Sequence, residues 1–406
     1  MQKVTEETRL NQIPVIHVYG THYVIGYTIG RQCKSLIDSV LTKWKFYNDV
    51  IIEKFLTPEG KQIYDASLAL CTQKFSSYVD ELKGMADGAG VPFYKLFLLH
   101  IDSLIVPPEL EDEYGKQHSQ TGCTTVMCNS DEVLQLSILP NNALILRLTV
   151  NFFVELQVII GHTEDACPEF LNNVFLVSAH IVNNEGTTLE KFTTLTYAGY
   201  LPGYTMGYNH HGMIYTVNTI FPKMTLPNRT PRNFLARAIL RASNLHQVVD
   251  ILRDAGNGAS DGFSVNLHFT KQEGTPVLHN VEVGPNKDLA DESELSMLTL
   301  THGEHHAHCN KYLRLKIEEL CGVGMESSTH RHKTIGRHLI PTSMEEVKVI
   351  LSDQSDNEYP IFRCGKKQDY VKTVAVGIFN VTNRKWYIYM EPPASSAPVA
   401  TIPLDM

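Results

Sequence analysis

A chain of 406 residues with 43% hydrophobic and 19% charged residues can build a sizeable core, which excludes a disordered or fibrous protein. Its net charge of -9 and pI near 6.0 exclude nucleic acid and anionic membrane surfaces as main partners. The opening MQKVTEETRL lacks the apolar run of an export signal. We therefore expect a soluble, cytoplasmic protein whose eight scattered cysteines are thiols.

Residues 13–20 read as a short strand closed by Gly20. From His22 to Phe55 apolar residues recur at helical spacing, although Gly26 and Gly30 weaken the first turns. SYVDELKGMADGAGVP (77–92) predicts a helix that runs into a Gly-rich cap and a proline stop. PFYKLFLLHIDSL continues the helical array to about residue 105, and residues 107–120 form a polar, turn-rich loop.

Strands then dominate: 123–128, 173–182, 191–198, 204–219 with a turn at His210–Gly212, 262–270, 276–284 and 296–302. Two helices interrupt them. The first, 231–243, starts at Pro231; the second, 244–256, is capped by Asn244. A helical stretch over 310–352 precedes final strands at 371–380 and 383–390. This mixed order predicts an α+β protein, with sheets packed on one another and helices outside.

Residues 135–158 (QLSILPNNALILRLTVNFFVELQV) fit this scheme poorly. Fourteen of the 24 are aliphatic, aromatic or alanine, but Pro140, Arg147 and Glu155 break the run below the ~18 residues of a membrane span. A β-hairpin turning near Pro140-Asn141-Asn142 is one reading, and an accidental insertion is another.

The chemistry centres on Gly122-Cys123-Thr124-Thr125-Val126-Met127-Cys128. Gly122 permits backbone that a side chain forbids, and the thiol of Cys123 opens a run of β-formers at a loop–strand junction. A thiol there can attack the carbonyl before it, cut the chain and leave Cys123 as a new N-terminus with its own amine as base. On these residues alone, a buried structural cysteine explains the stretch as well. The His-rich piece 301–309 matches no standard metal spacing and reads as a polar strand end, and no Gly-rich phosphate loop or G-x-S-x-G occurs. Neither metal nor cofactor is expected.

IGHTEDA (160–166) downstream of GCTTVMC resembles the core of the penicillin-maturing acyltransferases, a family of N-terminal-nucleophile hydrolases. HYVIGYTIG (22–30), ELKGMADGAGVP (81–92), GYNHHGMIYTVN (207–218) and SSTHR (327–331) resemble its pattern in the same order, so the similarity spans most of the chain. Within the family, the GCTTVMCNSDE wording is most similar to the insect tan-type hydrolases, which release β-alanine from β-alanyl amines.

The resemblance implies a four-layer αββα sandwich with a helical N-terminal segment. It also implies self-cleavage at Gly122–Cys123 into a mainly helical chain 1–122 and a catalytic chain 123–406 that stay together, with assembly into a homo-oligomer as a further option. By position Asp165 matches the aspartate that holds the new N-terminus, and Arg331 the catalytic-site arginine, with Arg337 as its alternative. Asn218 and Asn266, on expected strand ends, are candidates for oxyanion or substrate contacts. Glu164 and His162 are second choices, since Glu164 would face away from Asp165.

The implied function is hydrolysis of a small amide of the β-alanyl amine type. Acyl transfer from a thioester to an amine is one alternative, and a non-catalytic relative disabled by 135–158 is another. Cys123 and Asp165 lie 42 residues apart; removing those 24 leaves 18, which agrees with the family's spacing. The stretch is then a lineage-specific loop or a translated intron. It must re-enter the sheet in register, because a one-residue slip would turn Asp165 away from Cys123.

Overall fold

The structure is a computed structural model, and it describes residues 9–106, 122–135, 152–286, 288, 291–365 and 369–406. The polar loop 107–120 and the turn expected near Pro140-Asn141-Asn142 lie outside the described residues.

The N-terminal third is helical after strand β1 (Val15–Gly20). Thr21 caps helix His22–Gln32 through its side chain. Helix Ser76–Ala89 ends at Gly90, whose φ of 70° gives the left-handed cap that the Gly-rich stop predicted. These two helices touch backbone to backbone. A Cβ on Gly26 would stand 1.8 Å from the Glu81 carbonyl oxygen, and one on Gly84 2.1 Å from that of Tyr23. The glycines that weaken the helix in isolation are therefore what lets the pair close.

Among the described residues the strands form two sheets. The remaining strands are β2 (Gly122–Gln135), β3 (Phe152–Ala166), β4 (Val174–Val182), β5 (Thr188–Tyr197), β6 (Met206–Asn209), β7 (Met213–Ile220), β8 (Gly262–Phe269), β9 (Leu278–Gly284), β10 (Glu294–Leu300), β11 (Glu304–His308), β12 (Lys372–Asn380), β13 (Lys385–Tyr389) and β14 (Ala400–Pro403). One sheet runs β1-β4-β5-β6-β7-β8-β9-β10 and the other β11-β2-β3-β12-β13-β14. This is a mixed α+β protein. The segment 1–122 does not stand apart, because β1 pairs in parallel with β4 at the edge of the larger sheet.

Alternate residues of β2 face different neighbours, as a pleated strand requires. Thr125 reaches the larger sheet, where its hydroxyl meets Thr216 at 3.3 Å and Asn218 at 2.8 Å. Val126 and Cys128 point the other way and pack with Val347, Ile350 and Leu351 of helix Met344–Leu351. That helix carries a capping box built by Ser343 and Glu346. On the larger sheet, helix Arg232–Ile239 sends Arg237 to Glu81 at 2.8 Å and Glu190 at 2.6 Å, all three buried.

Several boundaries differ from expectation. The stretch 310–352 holds two helices, Val323–Ile335 and Met344–Leu351, with no helix over 310–322. The helices expected at 231–243 and 244–256 run over Arg232–Ile239 and Leu245–Arg253, the second capped by the Asn244 side chain. Residues 152–158 of the odd stretch continue β3, pairing with β2 out to Gln135 and Phe152. Every pair keeps one register from Gly122↔Asp165 outward, so the stretch lengthens the hairpin that carries Cys123 without shifting it. Among the described residues, no helix is long and apolar enough to cross a membrane.

Candidate active site

Cys123 stands at the start of β2, 3% exposed, in a cavity between the two sheets. The cavity measures about 50 Å³, room for the centres of a few waters. Its lining includes Gly122, Cys123 and Glu164 from one sheet, Tyr197 and Thr219 from the other, and Asp102 from the N-terminal helices.

Asn310 holds Cys123 from two sides. Its Nδ2 donates to the cysteine sulfur at 3.3 Å and to the Thr219 carbonyl at 2.8 Å. Its Oδ1 accepts the Cys123 N–H at 3.1 Å and an N–H of Arg331 at 2.6 Å. Both ends of the amide are thus committed, which fixes its orientation at the sulfur. Asn310 lies in an irregular segment after β11, and its own N–H is held by Ser328 at 3.0 Å. Nothing in its sequence surroundings marks it apart from the adjacent Cys309.

Arg331 comes from helix Val323–Ile335, whose buried side carries Ser327, Ser328 and Arg331. Its Nη1 donates to the Cys123 carbonyl oxygen at 2.7 Å and to the Thr124 hydroxyl at 2.9 Å. Arg331 is 1% exposed, whereas Arg337 is exposed at the helix end. The guanidinium therefore braces the backbone of the cysteine rather than its sulfur.

Register decides which carboxylate faces the thiol. Cys123 pairs with Glu164, and Gly122 with Asp165. Directly opposed residues share a face, so Glu164 lies on the sulfur's side of the sheet and Asp165 on the other. The expectation that an in-register hairpin aims Asp165 at Cys123 is thus corrected. Asp165 stands beside Gly122, accepts from Thr373 at 2.7 Å and Thr163 at 3.3 Å, and lies 4.0 Å from Arg363.

Arg363 also explains the glycine before the cysteine. A Cβ on Gly122 would meet the Arg363 Nη1 at 2.3 Å, and Asp369 pins that guanidinium through Nε at 2.8 Å. Glycine at 122 accommodates this close approach, and its φ lies outside the left-handed region, unlike the unusual backbone expected of it.

Glu164 sits in a buried chain of polar groups. Its carboxylate meets His162 at 3.0 Å and accepts the Tyr197 hydroxyl at 2.9 Å. His162 in turn meets the Thr125 hydroxyl at 2.7 Å. Asn218 and Asn266 join that chain from behind: Thr125 donates to Asn218 at 2.8 Å, and Asn266 donates to Thr125 at 3.1 Å. Asn280 donates to Asn266 at 2.8 Å. The two asparagines therefore brace Thr125 and, through it, His162 and Glu164.

Electrostatics around the thiol oppose its ionisation in the uncut chain. Burial pushes the Cys123 thiol up, and the charge of Glu164 adds to that, while hydrogen bonds from Thr219 and Asn310 pull the other way. Burial also pushes the Glu164 carboxyl up, against the contacts from His162 and Tyr197. The neighbouring Cys309 behaves differently. Burial would raise it, but His332 and Arg331 outweigh that and bring it to about 7.

Two histidines of the His-rich stretch pair with carboxylates away from Cys123. His302 meets Asp131 at 3.3 Å, and His308 meets Glu282 at 3.2 Å. Among the described residues, no group of three or more His, Cys, Asp or Glu is placed to hold a metal ion.

A profile described as acyl-coenzyme A:6-aminopenicillanic acid acyl-transferase matches residues 155–395, more than half of the chain. The chain belongs to that family. It is 36% identical over 402 residues to the β-alanyl-dopamine/carcinine hydrolase of Drosophila melanogaster, covering 98% of this chain and 97% of the relative. Protein dcd1A of Dictyostelium discoideum is 28% identical over 223 residues, 50% of this chain and 43% of that one. The family match takes in Asp165, Asn310, Arg331 and Arg363, while Gly122 and Cys123 lie upstream of it. The alignment with the insect hydrolase extends over nearly the whole chain.

Proposed function

We propose that this protein is a self-cleaving cysteine amidohydrolase that hydrolyses β-alanyl amines of the β-alanyl-dopamine and carcinine type to β-alanine and the free amine. The near-full-length identity to the insect hydrolase carries this reading. The placement of Cys123 supports it: a thiol at a strand start, in a cavity, with an amide donor at its sulfur and glycine before it. We also read the fold as the four-layer αββα sandwich. Its support is Thr125 bridging the two sheets, with helix Met344–Leu351 on the outside of one and helices His22–Gln32 and Arg232–Ile239 on the other.

In maturation the Cys123 sulfur attacks the Gly122 carbonyl carbon. The C–N bond breaks, the Cys123 nitrogen takes up a proton, and a thioester links Gly122 to the sulfur. Water then hydrolyses it, releasing a Gly122 carboxylate and the free thiol. The new α-amine, with a reference pKa of about 7.7–8.0, serves as base near neutral pH. Asp165, beside Gly122 on the sheet face away from the sulfur, anchors that amine, and Arg331 holds the Cys123 carbonyl.

In turnover the thiol passes its proton to the α-amine and attacks the substrate carbonyl. The amine product leaves with a proton, and water hydrolyses the acyl thioester. Asn310 Nδ2 is the donor we assign to the developing oxyanion, since it already lies 3.3 Å from the sulfur. Asn218 and Asn266 support the cavity through Thr125. We place the protein in the cytoplasm as a cleaved heterodimer that can associate further with copies of itself.

The family's description as an acyl-transferase favours one second reading, in which an amine and not water takes the thioester. Both are tested by N-terminal sequencing of purified protein followed by assay with β-alanyl-dopamine. A chain beginning Cys-Thr-Thr-Val and β-alanine release support hydrolysis. A single uncut chain overturns the mechanism. Release that depends on an added acceptor amine moves the assignment to acyl transfer.

A further inference from the structure

The cavity beside Cys123 must tell one acyl group from another, and its lining is rich in aromatic and anionic groups. Phe170, Tyr197, Tyr200 and Tyr204 form much of the wall. Two carboxylates line it, Asp102 and Glu164. Arg232 is the one cationic side chain in the described lining, and Asp261 lies 3.2 Å from its Nε. A cavity of this character suits a cation with an apolar body.

We propose that Glu164 is the acyl-recognition residue: its carboxylate receives the ammonium at the far end of a β-alanyl group held on Cys123. This deepens the function proposed above and rests on it.

Three observations carry the assignment. The first is reach. In a β-alanyl group three bonds separate the carbonyl carbon from the ammonium nitrogen, roughly 4 Å at ordinary bond lengths. Glu164 is the cross-strand partner of Cys123, and such partners have Cβ atoms about 4.5–5.5 Å apart on one face. The second is valence. Each Glu164 oxygen has one side-chain contact, His162 on one and Tyr197 on the other, and a carboxylate has about four lone-pair sites. Both contacts position the group while leaving acceptor capacity for an ammonium. The third is charge. Asp102 also lines the cavity, where burial raises its carboxyl against the nearby charge of Arg232, which it shares with Asp261, and Ser103 N–H donates to it at 2.8 Å. Glu164 has no guanidinium among its contacts.

A consequence follows for catalysis. In the uncut chain the Glu164 charge adds to burial in raising the Cys123 thiol. An arriving ammonium offsets that charge, so the correct acyl group helps to ionise the thiol that attacks it. An acyl group without the ammonium should then lose kcat as well as affinity.

The test compares β-alanyl-dopamine with butanoyl-dopamine, in which a methyl replaces the ammonium. The expected result is that Glu164→Gln lowers the ratio of their kcat/KM values by roughly 100-fold, and Glu164→Asp recovers part of it. An unchanged ratio overturns the proposal, as does an equal fall for both substrates. A ratio that collapses in Asp102→Asn instead moves the seat to Asp102. Should Glu164→Gln fail to mature, the wild-type enzyme decides with glycyl-, β-alanyl- and γ-aminobutyryl-dopamine. The reach to Glu164 demands the β-alanyl acyl length, and preference for a shorter or longer one overturns it. A mature wild-type enzyme that hydrolyses no β-alanyl amine instead refutes the function proposed above.

Discussion

The side-chain amide of Asn310 grips Cys123 at both its reactive and its backbone end, 3.3 Å from the sulfur and 3.1 Å from the main-chain nitrogen. Under the proposed cleavage, one side chain thereby couples the position of the sulfur to the Gly122–Cys123 peptide bond. Asn310→Ala should slow both maturation and turnover, by roughly 10²–10³ for loss of one oxyanion donor. The measurement is the fraction of uncut chain over time, with kcat of whatever matures. Normal rates for both would remove Asn310 from the mechanism.

Two cysteines lie close to Arg331, and only one lines the cavity. Cys123→Ala should remain a single full-length chain without activity. Cys309→Ser should still yield a chain beginning Cys-Thr-Thr-Val, although Cys309 has the lower pKa of the two. Gel analysis and N-terminal sequencing distinguish them, and cleavage in Cys123→Ala would defeat the assignment.

Gly122→Ala places a methyl against a guanidinium that Asp369 holds in place. Overpacking of this kind costs about 1–3 kcal/mol, and here it displaces the peptide to be cut. Cleavage should slow strongly, with a lower Tm for the uncut chain. Processing at the wild-type rate would show that Arg363 moves aside freely.

Acid sensitivity should draw on the buried ion pair of Glu81 and Arg237. Burial opposes the charge of Glu81, but Arg237 and His22 outweigh it and hold the carboxyl at about 2, below its ordinary 4.5. The unfolded chain then binds this proton first. The contribution is whole above pH 4.5 and is lost as pH falls toward 2. In uncut Cys123→Ala, urea midpoints should fall over that window. Adding Glu81→Gln should lower the midpoint at pH 7 and flatten the acid slope.

Features set by near neighbours were legible in the sequence. Asn244 as a cap, Gly90 as a helix stop and the turn at His210–Gly212 each need only a few adjoining residues. Arg331, singled out by resemblance, does reach Cys123. Glu164 was harder to see. Its face depends on whether it or Asp165 stands opposite Cys123, and that parity passes through the length of the hairpin beyond Gln135. Asn310 and Arg363 were invisible for a related reason: each is brought in across nearly 190 or more positions of chain, and an asparagine in a loop or a lone arginine has no local pattern. Gly26 and Gly30 read as helix weakeners in the sequence because the partner helix is 50 or more residues away.

The strand β1 belongs to the segment before the proposed cut, yet it completes the edge of a sheet built from the segment after it. Glu81 and Arg237 likewise span the cut with a buried ion pair. On the proposed maturation, folding finishes while the chain is one piece, with both halves at a high effective concentration. Once Gly122 and Cys123 are parted, regaining the native state from unfolded chains becomes a bimolecular encounter that dilution slows. The mature protein should persist by a slow rate of coming apart, not by an ability to reassemble. Heat inactivation should consequently be reversible for the uncut variant and irreversible, at low concentration, for the enzyme it normally becomes.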